Sequence, residues 1–469
     1  MVALRVLVLV EDTPPVVHAA AAMLAAGPSQ PPPPPLGLPT SAMALPGVPP
    51  QIQLDPTFAP VPVDQQTAGQ ALVAAGMNAT AAASPGSFGA GAYVVRGTID
   101  AADLDRLTQA GPPTIFADPG VGAAQTCGGN PPVGTATDVQ RLLQMGRLRR
   151  LGMDGEGVAL AIVDTGINLP HLRARGFAPQ LDYHASWTPQ VSVPPGAAPV
   201  DHGTMCAFDA LLSAPRAILL DHAVLRSTRQ GGSVMDGVLS DAVQSYGILL
   251  RLMMLPEDER FFHSLVVSNS WGMFHPTWDF PSGHPGRYFD NPNHPFNRIV
   301  GSLATAGADI LFAAGNCGPA CPDGRCLPVP ANPNDRRISG ANGHPDVYSV
   351  AGVDTNRDLV GYSTHGPGAL AQQKPDIAAY THWLGSEAFG TGTPDSGTSA
   401  ACPVMAGVVA ALRTIYRFDP TNPNRAPANV RQYLLSQAVQ PAGGAAGWNP
   451  QTGHGIVDCS NFDTAGATL

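Results

Sequence analysis

From Val139 to the C-terminus, short apolar runs alternate with stretches of helical periodicity, and this alternation constrains the fold more than any other feature of the chain. "VALAIV" (158–163), "AILLDHAVL", "SLVVSN" (264–269), "DILFAA" and "VYSVAGV" show no polar alternation, so each reads as a strand covered on both faces. Between them, "MDGVLSDAVQSYGILLRLMM" and "FNRIVGSLATAG" repeat their apolar residues at helical spacing. Strands and helices alternating in this way predict an α/β fold, a mostly parallel sheet with helices on both faces. There is no internal repeat.

The N-terminal part reads differently. A Pro-rich segment, residues 27–50, cannot join a packed core. Around it lie "RVLVLVE", "PPVVHAAAAMLA", "YVVRGTI", "AADLDRLTQA" and "PTIFADPGV", the strand and helix fragments of a small α+β unit. The expected organisation is this unit over 1–125, a Gly/Pro/Thr linker over 126–138 and the α/β domain over 139–469, and a chain of 469 residues has room for both domains.

The opening "MVALRVLVLVEDTPP" superficially resembles a signal peptide, but Arg5 interrupts its apolar run and Glu11-Asp12 closes it, so it reads as a strand. Export by an ordinary signal is not supported, which points to a cytoplasmic or non-classically exported protein and leaves secretion open. No apolar run reaches the length of a membrane span. The net charge of −10 argues against nucleic acid or an anionic membrane as partner, because either would need a basic patch.

In open parallel sheets, reactive groups gather at the carboxyl ends of strands. Four segments place polar residues there. Asp164 closes the apolar run of "VALAIVDTGI", where Gly166 permits a tight turn; alone, it reads equally as a cap or turn former. His202 stands in "DHGTMCAFDALL" and is one of thirteen histidines, most of which a fold uses at its surface or in its core. Asn316 ends "DILFAAGN".

Ser399 heads "DSGTSAACPVMAGVVAAL", a helix apolar almost all round and therefore central. Its hydroxyl would meet free N–H groups at the positive end of the helix dipole, although capping by Ser396 or Thr398 accounts for hydroxyls here too. Together the four supply a nucleophile, a base, a carboxylate to orient the base and a donor for an oxyanion. Their chain order, Asp then His then Ser, is that of subtilisin.

The sequence resembles the subtilisin family (subtilases) of serine peptidases over roughly 148–463. "AIVDTGI" is similar to the family's Asp motif, "DHGT" to its His motif, "AAGN" to its oxyanion asparagine and "SGTSAACPVMAG" to its serine motif, while "GHGIVDCSNF" resembles its closing segment. The resemblance implies a serine endopeptidase acting on peptides or proteins as a monomer, with Ser399 as nucleophile, His202 as general base and Asp164 orienting the imidazole. Asn316 would donate to the oxyanion, a contribution of about 10²–10³ in turnover, a range that comes from subtilisin itself. Ser270, Trp271 and Gly272 in "VVSNSWG" would pair with substrate main chain as an added strand, beside Ala313, Ala314 and Gly315. His171 would be structural. No cofactor is required; the family often binds structural calcium, but no ligand set for it can be assigned.

The pattern departs in two places. Met205, Cys206, Ala207, Phe208 and Asp209 follow "HGT" where the family has His and then small residues ending in Gly, and Val404-Met405 follow Pro403 where it has His-Val. An insertion over 273–297 is expected to form a structured loop over the substrate cleft; His275, Asp279, His284, Asp290 and His294 within it make metal binding an alternative, at irregular spacing. The N-terminal unit resembles the family's inhibitory prodomain of the inhibitor-I9 type. That implies a self-inhibited zymogen whose own N-terminal unit is inhibitor and chaperone, processed between Asp118 and Thr137.

Three other readings are weaker. "DTG" at Asp164 and "DSG" at Asp395 could be the paired signatures of an aspartic peptidase, but that fold is all-β. The sedolisin group shares a similar serine motif but uses a Glu base and an Asp at the oxyanion. A non-catalytic protein on a subtilase scaffold is the alternative of a different class, and competent residues at all four positions argue against it. Finally, Cys317, Cys321 and Cys326 form a C-x₃-C-x₄-C run behind Asn316. The "PDG" turn could join Cys321 to Cys326; free thiols, or zinc with His344 or Cys402 as a fourth ligand, are the other readings.

Overall fold

The computed structural model describes residues 3–11, 13–26, 48–80, 92–108, 114–123, 125–126, 131–190, 192–226, 235–274, 276–326, 338–441, 444 and 446–462. Most of the Pro-rich segment, 27–47, therefore lies outside the described residues.

The N-terminal strand expected at "RVLVLVE" is β1 (Ala3–Glu11), which pairs antiparallel with β2 (Ala92–Asp100) on one edge and β3 (Ile115–Ala117) on the other. Short strands at Gln53–Leu54 and Val61–Pro62 extend the sheet beyond β2. Helices α1 (Pro14–Ala26) and α2 (Gln65–Ala74) pack together, and the Asp64 carboxylate caps α2 by accepting from Thr67 N at 2.8 Å. "PTIFADPGV" does not form the single strand its composition suggests. Pro119 cannot donate to a ladder, and the chain leaves β3 there to begin β4 (Gly120–Ala123), which joins a different sheet.

The chain continues through β5 (Val158–Val163), β6 (Ile218–His222), β7 (Asp236–Val238), β8 (Ser264–Asn269), β9 (Trp271–Gly272), β10 (Asp309–Ala313), β11 (Tyr348–Val353) and β12 (Ile377–Tyr380). The large sheet has the order β12-β11-β10-β8-β5-β6 with Gln180–Leu181 at its far edge, and every pairing is parallel. The uniformly apolar sequence of β5 follows from this topology, since it sends Ala159, Ala161 and Val163 into one core and Val158, Leu160 and Ile162 into another.

Helices cover both faces. On one side lie α3 (His202–Leu211) and the long apolar α6 (Thr398–Ile415); on the other lie α4 (Leu239–Met254) and α5 (Pro295–Thr305). Among the described residues α6 is the one helix long and apolar enough to cross a membrane, and here it is buried in the protein's core. The helical run expected from Met235 begins at Leu239, because Asp236–Val238 is drawn into pairing with β4. The N-terminal unit packs on α4 and α5: Arg96 meets Asp241 at 3.3 Å, Asp118 accepts from Ser240 N at 2.8 Å and Ser302 Oγ donates to Val63 O at 2.9 Å.

Candidate active site

Asp164 directly follows β5 and is buried. Its Oδ1 accepts from Thr165 N at 2.7 Å and from His202 Nδ1 at 2.8 Å. His202 opens α3, whose N-cap is Asp201. Two glycines let α3 come this close. A Cβ on Gly203 would lie 2.6 Å from Gly166 O, and Gly166 has a φ of 102°, a conformation glycine adopts without strain. Gly203 N donates to Thr165 Oγ1 at 2.8 Å, so "DTG" and "HGT" are two halves of one contact.

The other ring nitrogen of His202, Nε2, is buried without a hydrogen-bond partner among the described residues. Burial alone would lower the pKa of this imidazole, but the charge and hydrogen bond of Asp164 outweigh it and hold it above the ordinary value.

Ser399 is the second residue of α6 and its hydroxyl donates to Ser270 O at 3.3 Å. In return Ser270 Oγ donates to Ser399 O at 3.0 Å. Cys206, buried on α3, places its thiol 3.5 Å from Ser399 O and 3.7 Å from Asp164 Oδ2, which links the head of α6 to the Asp164–His202 pair.

Asn316 is fixed by its side-chain oxygen, which accepts from Thr398 N at 2.9 Å and Thr398 Oγ1 at 3.0 Å. That network assigns the amide orientation and turns Nδ2 toward Gln125 O at 3.2 Å. Gly397 is required beside it, because a Cβ there would sit 2.8 Å from Asn316 Nδ2.

The partner of β9 is the chain itself. Trp271 pairs with Ala123 and Gly272 with Gly122, so β4 lies antiparallel between β9 and β7. Gln125 N donates to Asp323 Oδ2 at 2.6 Å and Thr126 Oγ1 lies 3.3 Å from Ser396 Oγ. Ala313, Ala314 and Gly315 make their hydrogen bonds within the fold: Ala313 O accepts from Asn342, Ala314 N donates to Val350 O and Gly315 N donates to Thr398 Oγ1. His171 donates from Nε2 to Ser386 O at 2.7 Å, away from Asp164.

The cysteine loop corrects an expectation. Cys326 is bonded to Cys317, not to Cys321, because Asp323 N donates back to Asn316 O and folds the loop so that its two ends meet. Cys321 is disulfide-bonded as well, which removes the free-thiol and zinc readings of this run. Cys402 is a buried thiol within α6.

In the 273–297 insertion, His275 lies outside the described residues. Asp279 accepts from Tyr288 N and Phe289 N, Arg287 meets Asp290 at 3.0 Å, His284 Nδ1 accepts from Gly286 N, and His294 donates to Ala117 O at 2.9 Å. These contacts order the segment against β3, and its root, Phe274, underlies the Arg325 guanidinium at 4.1 Å. Among the described residues, the one group of three metal-capable side chains is Asp164, His202 and Cys206. Its nitrogen and sulfur donors do not suit calcium, which takes oxygen ligands.

Sequence reasoning did not single out Cys206 as a contact of the pair, Thr398 as the residue that fixes Asn316, or Asn342, whose amide donates to both Trp271 O and Ala313 O at 2.8 Å. Adjacency to Ser399 was a usable signal for Thr398; Asn342, in "GANG", carries none.

The model of the subtilase family matches residues 155–455. Serine protease AprX of Bacillus subtilis is 26% identical over 326 residues, covering 60% of this chain and 61% of its own length. Membrane-bound transcription factor site-1 protease of Mus musculus is 32% identical over 178 residues, covering 36% of this chain and 15% of its own. Subtilisin-like protease SBT6.1 of Arabidopsis thaliana is 30% identical over 160 residues, 32% of this chain and 14% of its own length. The match thus spans less than two thirds of each of these relatives, whereas the family model accounts for well over half of the chain, and the chain belongs to the subtilase family.

Proposed function

We propose that this chain is a serine endopeptidase that hydrolyses peptide bonds through an acyl-enzyme, and that residues 1–125 act as its intramolecular inhibitor. Ser399 Oγ attacks the scissile carbonyl and His202 Nε2 takes its proton, then delivers it to the leaving amine. Asp164, bonded to Nδ1, fixes the tautomer that leaves Nε2 free and stabilises the imidazolium. Asn316 Nδ2 donates to the oxyanion; its oxygen is already held by Thr398, so the donor is pre-aimed and little reorganisation is needed.

The observation that carries this reading is the hydrogen bond from Asn316 Nδ2 to Gln125 O, at the end of a strand paired with Trp271 and Gly272. A peptide carbonyl on the oxyanion donor and an added strand on β9 are what a bound substrate would present. The name of AprX, a serine protease, supports the same chemistry. The boundaries 1–125, 126–138 and 139–469 fit this reading, with the cut next to Gln125.

Purified chain should react with a fluorophosphonate probe at Ser399, and N-terminal sequencing should show a new terminus at Thr126, because the carbonyl on the oxyanion donor is that of Gln125. Labelling that survives Ser399→Ala would remove the assignment of the nucleophile. A chain that stays uncut in wild type as in Ser399→Ala would remove the inhibitor reading.

A further inference from the structure

Gly122 sits in the middle of β4 as ordinary strand, so its need for glycine is one of space. A Cβ there would lie 2.6 Å from Asp236 Oδ1, 3.2 Å from Arg325 Nη1 and 3.2 Å from Met235 O. Asp236 stands on β7, on one side of the strand; Arg325 comes from the loop closed by Cys317–Cys326.

The two side chains meet at 3.4 Å above Gly122. Arg325 also donates to Ala123 O through Nη2, binds the buried Asp323 at 2.8 Å and lies over the Phe274 ring. Its planar fork is thus held on several sides, and Asp323 receives Gln125 N at 2.6 Å. The strand lies under a polar bridge whose two ends belong to distant parts of the sequence.

We propose that the Asp236–Arg325 bridge restricts the groove position held by Gly122 to glycine, in the chain's own segment and in any peptide substrate. This rests on the reading of β4 as a strand in substrate position. Its substrate class is a peptide with glycine at that position, followed by small residues such as Ala123. A methyl group there must displace Asp236, whose side chain Arg325 holds, so discrimination of about tenfold against alanine is expected, with larger side chains excluded further.

Two measurements test it. The first uses full-length Ser399→Ala, where no cleavage intervenes, and follows hydrogen exchange at the Ala123 amide, which donates to Met235 O. Gly122→Ala should speed exchange about tenfold, whereas in the Asp236→Ala background the same change should leave exchange as it is in Asp236→Ala alone. The second uses the self-processed wild-type chain on two peptides, GVGAAQT and GVAAAQT, with kcat/KM favouring the first about tenfold and the preference collapsing in Asp236→Ala. Absence of coupling in the exchange cycle, or equal turnover of both peptides, overturns the proposal. Coupling with turnover of neither peptide supports the restriction and removes the catalytic reading, so the two failures are distinguishable.

Discussion

Pro403 has no N–H to offer the carbonyl of Ser399, four residues earlier in the same helix, and that oxygen accepts instead from Ser270 Oγ at 3.0 Å and the Cys206 thiol at 3.5 Å. A proline inside a helix ordinarily costs about 3 kcal/mol. Here it frees a carbonyl that ties the head of α6 to Ser270, between β8 and β9, and to Cys206 on α3. Pro403→Ala returns an N–H that competes for Ser399 O. We expect fluorophosphonate labelling slowed by about ten- to a hundredfold, as small misplacements of a nucleophile do, with a Tm no lower than wild type. Unchanged labelling would show that the freed carbonyl does not position Ser399.

The raised pKa of His202 gives a second prediction. In the proposed mechanism His202 must be neutral to act as base, so activity should increase with pH, and its midpoint should fall above the ordinary 6.5 because Asp164 stabilises the protonated ring. In Asp164→Asn the midpoint should move down while kcat falls by about 10⁴. A pH profile of kcat/KM in both proteins measures each; a midpoint below 6.5 in the wild type contradicts the pairing.

How far these relationships could be read from the chain varies with the residue. β5, β8, β10 and β11 were legible as short, mainly apolar runs without a polar face, since a strand covered on both faces has no polar side to display. Asp164, His202, Asn316 and Ser399 were legible as motifs because each stands where a strand or helix end needs a small, turn-forming neighbour. The third sheet was not. "GVGA" has little intrinsic strand preference, and β4 exists because β7 and β9 offer it edges on both sides. The Cys317–Cys326 pairing was equally hidden, since it follows from the path of a loop and not from cysteine spacing.

Asp209, where the resemblance leads one to expect glycine, accounts for a third prediction. Its side chain is buried against Asp395; burial and then the Asp395 charge push its pKa well above the carboxylate range, so it keeps its proton and donates it to Asp395. Burial also raises Asp395, to about 6, against the hydrogen bonds from Ser386 and Asp209 that lower it. Both groups bind protons more tightly folded than unfolded, so from their unfolded value near 3.8 upward the native state holds the extra protons and stability falls as pH rises. Asp209→Asn keeps a donor for Asp395 and removes one of the two titrations. Its Tm should exceed wild type at pH 8 and fall less steeply between pH 4 and 8. A wild-type Tm that climbs across that interval in parallel with the variant would contradict the shared proton.

The Cys317–Cys326 bond gives the last. It closes a short loop, nine residues in separation, that carries Asp323 and Arg325 onto the bound strand. Cross-linking a loop of this length stabilises by about 2–3 kcal/mol in the chain-entropy picture. Reductant would open the bond at Cys321 too, so the clean comparison is Cys317→Ser with Cys326→Ser, which leaves Cys321 untouched. With its ends untied, the loop should release Arg325 from Asp323 and Asp236. The peptide bond after Arg325 should resist trypsin in the parent, where the side chain is held by Asp323 and Asp236, and should become a cleavage site in the variant. Urea unfolding of Ser399→Ala with and without the two serine substitutions should show the loss in stability, and mass mapping after brief trypsin should show the new cut. Equal resistance in both proteins would mean that Arg325 is held by the strand and its ion pairs alone.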